Sequence, residues 1–339
     1  MSFGLAIVGA TGNVGRKIIE VLEKRNFPVK ELYLIASENS VGSKIIFKNK
    51  QLEIISFDKF DFSKAKITFF CCGAKLSAEL IPKVTNKTIV IDNSSYFRMD
   101  SSIPLIVPEV NLNELKKFKN KNIISNPNCS TAQLVLVLKP LHDKFKIKRV
   151  VVSTYQSVSG AGKLSMDELI SQTSGFINKE EIQSKNFTHQ IAFNVIPHID
   201  SFSTEGYTKE EIKMQNETKK ILDEKINVTS TCVRVPVING HSESVFIKVR
   251  NEASRLSIIK LLEGKEGIKV IDDPSKEAFP TALENANKTN DVYVGRIRSS
   301  KINNEDWISC WIVADNVFGK GAALNAVQIL ELMKKADEN

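Results

Sequence analysis

Short apolar runs separated by polar, glycine-bearing turns dominate the first third of the chain. Leu5 to Val8 is a continuous apolar run, followed by Gly9-Ala10-Thr11-Gly12-Asn13-Val14-Gly15. Val14, Ile18, Val21 and Leu22 then fall near helical spacing, and Leu32 to Ala36 is a second run. Read by periodicity, this is a strand, a helix and a second strand with glycines at the first turn. Further runs at Ile67–Phe70, Ile89–Ile91, Leu105–Val107 and Ile123–Ile124 predict a mostly parallel sheet buried on both faces. The last run opens into Asn126-Pro127-Asn128-Cys129-Ser130-Thr131, and Leu134–Leu138 beyond it predicts a helix.

The remainder has a different texture. Val150–Thr154, Thr231–Val235, Val245–Val249 and Trp307–Val313 carry the β-branched and aromatic residues of strands. Helical stretches lie between them, near Lys163–Thr173, Lys209–Glu224 and Ser254–Glu263. Gly321–Lys335 is an amphipathic helix expected to return to the first domain. The expectation is an α/β protein with two parts. Residues 1–127, with a helix at about 318–339, form a Rossmann-type dinucleotide-binding domain. Residues 128–317 form an α+β catalytic and dimerisation domain with a mixed, largely antiparallel sheet.

Composition narrows the class. The 339 residues are 42% hydrophobic and 25% charged, ordinary for a globular protein of about two domains. No apolar run reaches the roughly 18 to 20 residues of a membrane span. The opening Met1-Ser2-Phe3-Gly4 has no basic stretch of the signal-peptide kind, so a cytoplasmic protein without membrane partners is expected. Lys and Arg number 47 against 39 Asp and Glu, a net charge of +8. The basic residues are dispersed among acidic ones, which argues against nucleic acid and leaves a bias towards small anions. Cys71, Cys72, Cys129, Cys232 and Cys310 form no Cys-x-x-Cys pair, so no metal site is expected and the thiols should be reduced.

Two features carry chemistry. Glycines between a strand and a helix let backbone approach a pyrophosphate, and the helix N-terminus adds N–H groups and partial positive charge. An acidic residue at the end of the second strand would bind the ribose hydroxyls of NAD; Ser37 stands there with Glu38 beside it, leaving NAD and NADP both open. Cys129 is placed where a strand ends and a helix begins, a setting that stabilises a thiolate, with Ser130 and Thr131 available as caps. His241, one of four histidines, follows the turn Pro236-Val237-Ile238-Asn239-Gly240, from which it could reach a cleft.

At this point the chain resembles the aspartate-semialdehyde dehydrogenase family, over nearly its whole length. The resemblance is carried by GATGNVG at 9–15, VIDNSSYFRMD at 90–100, VPEVN at 107–111 and SNPNCST at 125–131. It continues with TYQSVSGAG at 154–162, AFNVIPHID at 192–200, YTKEEIKM at 207–214, RVPVINGHSE at 234–243, and DN followed shortly by KGAALNAVQI. The resemblance implies a homodimeric, NADP-dependent enzyme of lysine, threonine and methionine biosynthesis. It would convert L-4-aspartyl phosphate to aspartate semialdehyde with release of phosphate. Cys129 would be the acyl-enzyme nucleophile, His241 the acid/base partner and Gln156 the residue orienting the acyl group. Arg234 would hold the substrate carboxylate and Glu210 its ammonium group, with Arg98, Lys213 and Asn128 on the phosphate. Cofactor contacts would come from Gly9, Thr11, Gly12, Asn13 and Val14, from Ser37, Asn39 and Ser40, and from Ser159, Gly160 and Asn316. Backbone N–H groups near the start of the Cys129 helix would be oxyanion donors.

Two places depart from the family pattern, both on the cofactor side. Asn39 stands where the family often has an Arg for the 2′-phosphate, and Asp315-Asn316-Val317-Phe318-Gly319-Lys320-Gly321 carries an extra residue. The nearest rival, N-acetyl-glutamyl-phosphate reductase, usually reads Asn-Pro-Gly-Cys at the nucleophile, where this chain reads Asn-Pro-Asn-Cys. A non-catalytic dinucleotide-binding sensor would need no nucleophile.

Overall fold

The computed structural model of the chain describes residues 3–338. Met1, Ser2 and Asn339, which the expected first domain includes, lie outside the described residues. The chain divides into two compact units, Met1–Pro127 with Ala322–Asn339, and Asn128–Gly321.

The first unit runs β1 (Phe3–Val8), α1 (Asn13–Lys24), β2 (Val29–Ala36), β3 (Lys44–Phe47), β4 (Lys50–Ser56), β5 (Ile67–Phe70), α2 (Ala74–Leu80), β6 (Ile89–Asp92), α3 (Pro108–Asn111) and β7 (Ile123–Ser125). Its sheet has the order β3-β4-β2-β1-β5-β6-β7, parallel throughout except for the β3/β4 hairpin. Leu5, Ala6 and Ile7 of β1 are fully buried at its centre, which is why this strand reads as an unbroken apolar run. The chain leaves β1 for β2 on one side and places β5 on the other, so strand order reverses at β1. Such a reversal opens a crevice at the carboxyl ends of the strands, where the glycine turn lies. The α1 stripe Ile18, Ile19, Val21 and Leu22 is buried, and α1 packs on the last helix, Ala323–Glu338. That helix is held in this unit by buried Asn325, whose amide donates to Ile106 O (2.9 Å) and Asn126 Oδ1 (2.6 Å).

In the second unit, Cys129–Phe145 is α4, followed by β8 (Ile147–Gln156), α5 (Lys163–Asn178), α6 (Lys209–Ile221), β9 (Asn227–Arg234), β10 (His241–Val249), α7 (Arg255–Glu263), β11 (Ile268–Val270), α8 (Ala282–Asn285), β12 (Val292–Ile302) and β13 (Glu305–Ala314). The final helix of the first unit is therefore α9. The sheet order is β11-β12-β13-β10-β8-β9. Its outer pairs, β11/β12 and β8/β9, are parallel and the three inner pairings are antiparallel. Leu134, Leu138 and Leu141 of α4 pack with Val152, Val245, Ile247 and Ile312 in one core. The opposite face of the same strands leaves Val151, Tyr155 and Phe246 exposed.

Several elements differ from the pattern-based reading. Leu105–Val107 makes only an isolated bridge, Leu105 to Ser125, because Pro104 and Pro108 bound it and a proline cannot donate to a ladder. Helix α5 continues five residues past Thr173 to Asn178, and α6 stops at Ile221, where Asp223 turns the chain by accepting from Lys225 N–H (2.9 Å). In the β3/β4 and β12/β13 hairpins only β13 was expected, as Trp307–Val313; β3, β4 and β12 escaped the hydrophobic pattern because they mix charged with apolar residues. Their two-residue turns, Lys48-Asn49 and Asn303-Asn304, have positive φ at both positions, the geometry asparagine tolerates in hairpin turns. Residues 318–321 belong with the second unit rather than with α9. Asp315 Oδ1 accepts from Val317 N (3.0 Å) and Phe318 N (2.8 Å), and Asp315 O from Gly321 N (3.3 Å), which tie the segment to β13.

Close backbone approach makes the first turn a requirement for glycine. A Cβ at Gly15 would lie 2.3 Å from Gly9 O, and one at Gly9 (φ 82°) 2.7 Å from Cys71 O. Gly15→Ala should therefore push α1 off the turn and lower stability by about 1–3 kcal/mol in urea unfolding; an unchanged midpoint would show that the turn has slack.

Candidate active site

In the first unit the glycine turn has the features a dinucleotide pyrophosphate requires. Gly9 N and Ala10 N both donate to Ile35 O (2.8 and 3.1 Å), so the turn is pinned to the end of β2. Helix α1 begins after Gly12 with no side-chain cap and no acidic residue in its first turn, which leaves its positive end facing the loop. Thr11, Gly12, Asn13 and Val14 are at this end and none is fully buried. Beyond β2, Ser37 precedes a single 3₁₀ turn, Glu38–Ser40; Ser37, Glu38 and Asn39 are exposed and Ser40 is half-buried. Arg98 is buried in the same unit, its Nε donating to Asn126 O and its Nη2 to Asn93 O, both at 2.9 Å.

The second unit gathers the polar side chains singled out at its strand and helix ends. Cys129 is the first residue of α4 and is half-buried. The cap is supplied by Asn128, not by Ser130 or Thr131: its Oδ1 accepts from Ser130 N (3.0 Å) and Thr131 N (3.3 Å). Those two N–H groups are therefore engaged by the cap. The Asn128 backbone N–H donates to Glu217 Oε2 (2.7 Å) and its Nδ2 to Glu210 Oε1 (2.8 Å), so α6 fixes the start of α4. The Asn128 amide is thus occupied at both ends within the chain.

Glu210 is the centre of this cluster. Gln156, at the end of β8, donates from Nε2 to Glu210 Oε1 (3.0 Å) and to Ser130 Oγ (2.8 Å). A carboxylate only accepts, so the Gln156 nitrogen must face it, and Gln156 Oε1 is left buried without a hydrogen-bond partner among the described residues. Lys213, one turn along α6, lies 3.3 Å from Glu210 Oε2 and 2.7 Å from Asp200 Oδ2. Burial works to raise the Glu210 carboxyl, but Lys213, Gln156, Asn128 and Arg234 together hold it below its ordinary range.

Arg234 ends β9 and is buried; its Nη1 donates to Ser157 O at 2.7 Å. Its guanidinium feels the charges of Glu210 and Cys129, which places it in one field with the thiol. His241 opens β10 and is fully buried. Desolvation, reinforced by Arg234, drives the imidazole well below its ordinary pKa, so the ring is neutral at pH 7. Ser157 N–H donates to Nδ1 (3.1 Å), while Nε2 has no hydrogen-bond partner among the described residues. A Cβ at Gly160 would lie 3.3 Å from both Arg234 Nη1 and His241 Nε2, so the missing side chain keeps a space between them. Asn316 Oδ1 accepts from Gly240 N (3.0 Å), Ser157 Oγ (3.1 Å) and Ser159 Oγ (3.2 Å), an amide already saturated on its oxygen.

Three residues here escaped sequence reading: Ser157, Glu217 and Glu243. Glu243 is fully buried on β10, and burial pushes its carboxyl well up despite nearby Gln133. Only the Gln-Ser-x-Ser order beside Gln156 offered a signal for Ser157. Among the described residues no group of His, Cys, Asp or Glu could hold a metal, and no helix is long and apolar enough to cross a membrane.

Known proteins supply a name for this arrangement. Residues 4–118 match the model of the semialdehyde dehydrogenase NAD binding domain and residues 138–318 that of the semialdehyde dehydrogenase dimerisation domain, so the chain is an oxidoreductase of that class with a nucleotide-binding unit. It is 49% identical to aspartate-semialdehyde dehydrogenase of Aquifex aeolicus, covering 99% of both chains. It is 47% identical to aspartate-semialdehyde dehydrogenase 2 of Vibrio cholerae, over 98% of this chain and 97% of that one. The crystal structure of aspartate semialdehyde dehydrogenase II from Vibrio cholerae complexed with ASA superimposes with a TM-score of 0.96, at 46% identity and 99% coverage of both chains. The chain belongs to the aspartate-semialdehyde dehydrogenase family.

The depressed Glu210 carboxyl has a consequence for acid stability. Because its folded pKa is lowered, the unfolded chain takes up the proton first, at about pH 4.3. Its stabilising contribution is complete above that value and declines as pH falls through the lower folded pKa. Urea unfolding between about pH 5 and 3 should show a shallower loss of stability in Glu210→Gln than in wild type. Parallel curves would mean that Glu210 is not held ionised.

Proposed function

We propose that this enzyme is NADP-dependent and phosphorylating, and that it reductively dephosphorylates L-4-aspartyl phosphate to L-aspartate 4-semialdehyde through an acyl thioester on Cys129. The observation that carries the reading is the half-buried thiol at the first residue of α4, in one unit with buried Glu210, Arg234 and His241. One anionic and one cationic group, each desolvated, suit the ammonium and carboxylate of a free amino acid. They suit an acetylated amine poorly, which favours the aspartyl substrate over N-acetylglutamyl phosphate.

In this reading the Cys129 thiolate attacks the acyl carbon, and phosphate leaves with the electrons of the C–O bond. Arg234 holds the α-carboxylate and Glu210 the α-ammonium, from which the unpartnered Gln156 Oε1 can also accept, and Gln156 thereby orients the acyl group. Lys213, Asn128 and Arg98 supply positive charge and donors for the phosphate. Gly9, Thr11, Gly12, Asn13 and Val14 hold the pyrophosphate, and Ser37, Asn39 and Ser40 the ribose phosphate. Ser159, Gly160 and Asn316 of the second unit are further cofactor contacts. When bound, the nicotinamide supplies the hydride that reduces the thioester. His241, through Nε2, gives the proton to the thiohemiacetal oxygen and in the reverse direction accepts it. Thiol and hydride chemistry account for every step without a metal. The exposed Val151, Tyr155 and Phe246 on one sheet face, in the part that matches a dimerisation domain, support a homodimer. We place the enzyme in the cytoplasm, where reduced thiols persist.

Aspartate semialdehyde, phosphate and NADP⁺ should give phosphate-dependent NADPH formation that falls by about 10⁴-fold or more in Cys129→Ala. Activity with N-acetylglutamate semialdehyde instead would overturn the substrate. Exposed Asn39 lies in the 3₁₀ turn after β2, so Asn39→Arg should raise the NADPH over NADH preference by about tenfold, the value of one charge-assisted hydrogen bond. An unchanged ratio in parallel titrations would remove residue 39 from cofactor choice.

A further inference from the structure

Ser157 is fully buried and uses each of its polar groups on a neighbour. Its C=O accepts from Arg234 Nη1 (2.7 Å), its N–H donates to His241 Nδ1 (3.1 Å), and its Oγ lies 3.1 Å from both His241 Nδ1 and Asn316 Oδ1. A backbone N–H can only donate, so it favours a lone pair on Nδ1 and the hydrogen on Nε2. In that tautomer Nε2 can donate a hydrogen bond but cannot take a proton. An Nδ1–H needs an acceptor, and the Ser157 hydroxyl is the oxygen within hydrogen-bond distance of it. The hydroxyl must then send its own hydrogen elsewhere. Asn316 Oδ1 is placed to receive it, and that amide is oriented by the Gly240 N–H, which demands oxygen rather than nitrogen at 3.0 Å.

We propose that Ser157 is a positioning residue of the reaction. Its hydroxyl turns between His241 Nδ1 and Asn316 Oδ1, and the second setting lets the ring carry a proton on Nδ1 while Nε2 takes up or delivers another. The proposal rests on the reading of His241 as acid/base partner. It involves no covalent step: one O–H hydrogen changes acceptor as the ring changes protonation state. The charged group facing His241 is Arg234 on β9, which opposes the protonated ring. Glu210 on α6 and Cys129 on α4 act on Arg234 in turn. Glu243 lies two residues along β10, and Gln133 of α4 donates to His241 O (3.4 Å). Of the side chains around the ring, none but Ser157 places an acceptor at Nδ1; the Gly240 backbone also favours the protonated ring, and the serine hydroxyl adds the acceptor that can turn.

Ser157→Ala keeps the backbone N–H on Nδ1 and removes only the hydroxyl. Its effect is read in the full-length enzyme labelled with ¹⁵N-histidine at pH 7, where the two ring nitrogens of His241 report the tautomer. Wild type should show both tautomers in exchange, and Ser157→Ala only the Nε2–H form. With the hydroxyl gone, kcat should fall about tenfold or more at unchanged KM. The His241 limb of the kcat profile should move down by about one pH unit, the value of a hydrogen bond to a charged ring. Ser157→Thr, which restores the hydroxyl, should return both the ring signals and the profile. Identical ring signals and an unmoved pH profile in Ser157→Ala would overturn the proposal, even if the rate fell, because a merely structural serine would behave so. The His241 reading is tested separately by His241→Asn: full activity there would sink the acid/base assignment, while the nitrogen signals would still decide whether the hydroxyl sets the tautomer.

Discussion

A carboxylate removed from water must be met by donors or it will take up a proton, and Glu210 imposes that demand on everything around it. Asn128 and Gln156 both turn an amide N–H to its Oε1, and Lys213 approaches its Oε2. Asn128 and Gln156 sit at the ends of two other elements and Lys213 one turn along α6 itself, so satisfying one carboxylate draws together the start of α4, the end of β8 and the first turns of α6. The same Asn128 side chain caps the helix on which Cys129 stands. Charge balance and nucleophile placement are therefore one arrangement. The thiol is aligned because its neighbour in the sequence bridges a helix and an acid.

The site also distributes polarity unevenly. Glu210 lies below its usual carboxylate range, held by several donors, whereas Glu243 on β10 meets little but apolar core and is pushed up. Two glutamates in one unit are thus shifted in opposite directions from the ordinary carboxylate range. Their surroundings set the difference, as expected when desolvation is opposed by cations at one position and not at the other. Cys232 and Cys310 share the second environment, and burial drives both thiols up, Cys310 to about 12. Of the cysteines in this unit, only Cys129 combines partial exposure with a helix N-terminus.

Where one strong local rule governed, the chain was readable in advance. The buried Leu5–Val8 run of β1 and the glycines after it announced the parallel sheet, and the polar Asn-Pro-Asn-Cys segment announced a helix start at Cys129. The β3/β4 hairpin and strand β12 were illegible to a hydrophobic pattern, since Lys50, Glu53, Arg298 and Lys301 interrupt strands held by backbone pairing across two-residue turns. The asparagine turns were the better signal. Helix capping was assigned two to three residues late because Ser130 and Thr131 are equally good capping types. Asn128 won because its backbone is extended there, leaving the side chain free to fold back. The roles of Ser157 and Glu217 depend on contacts 84 and 89 residues away, which no local pattern encodes.

The first unit is assembled from two stretches separated by the whole of the second. Its α1 packs on α9, joined by a forked Arg25–Glu331 pair and anchored by buried Asn325. During synthesis the glycine turn and its sheet are complete long before that helix exists. At roughly 5–20 residues per second the ribosome needs about 10–40 s to make the intervening 128–321 segment. Through that interval the apolar flank of α1 lacks its partner, while the second unit emerges as one continuous stretch. The later-made unit is therefore the first that can finish folding, and the earlier-made one waits for it.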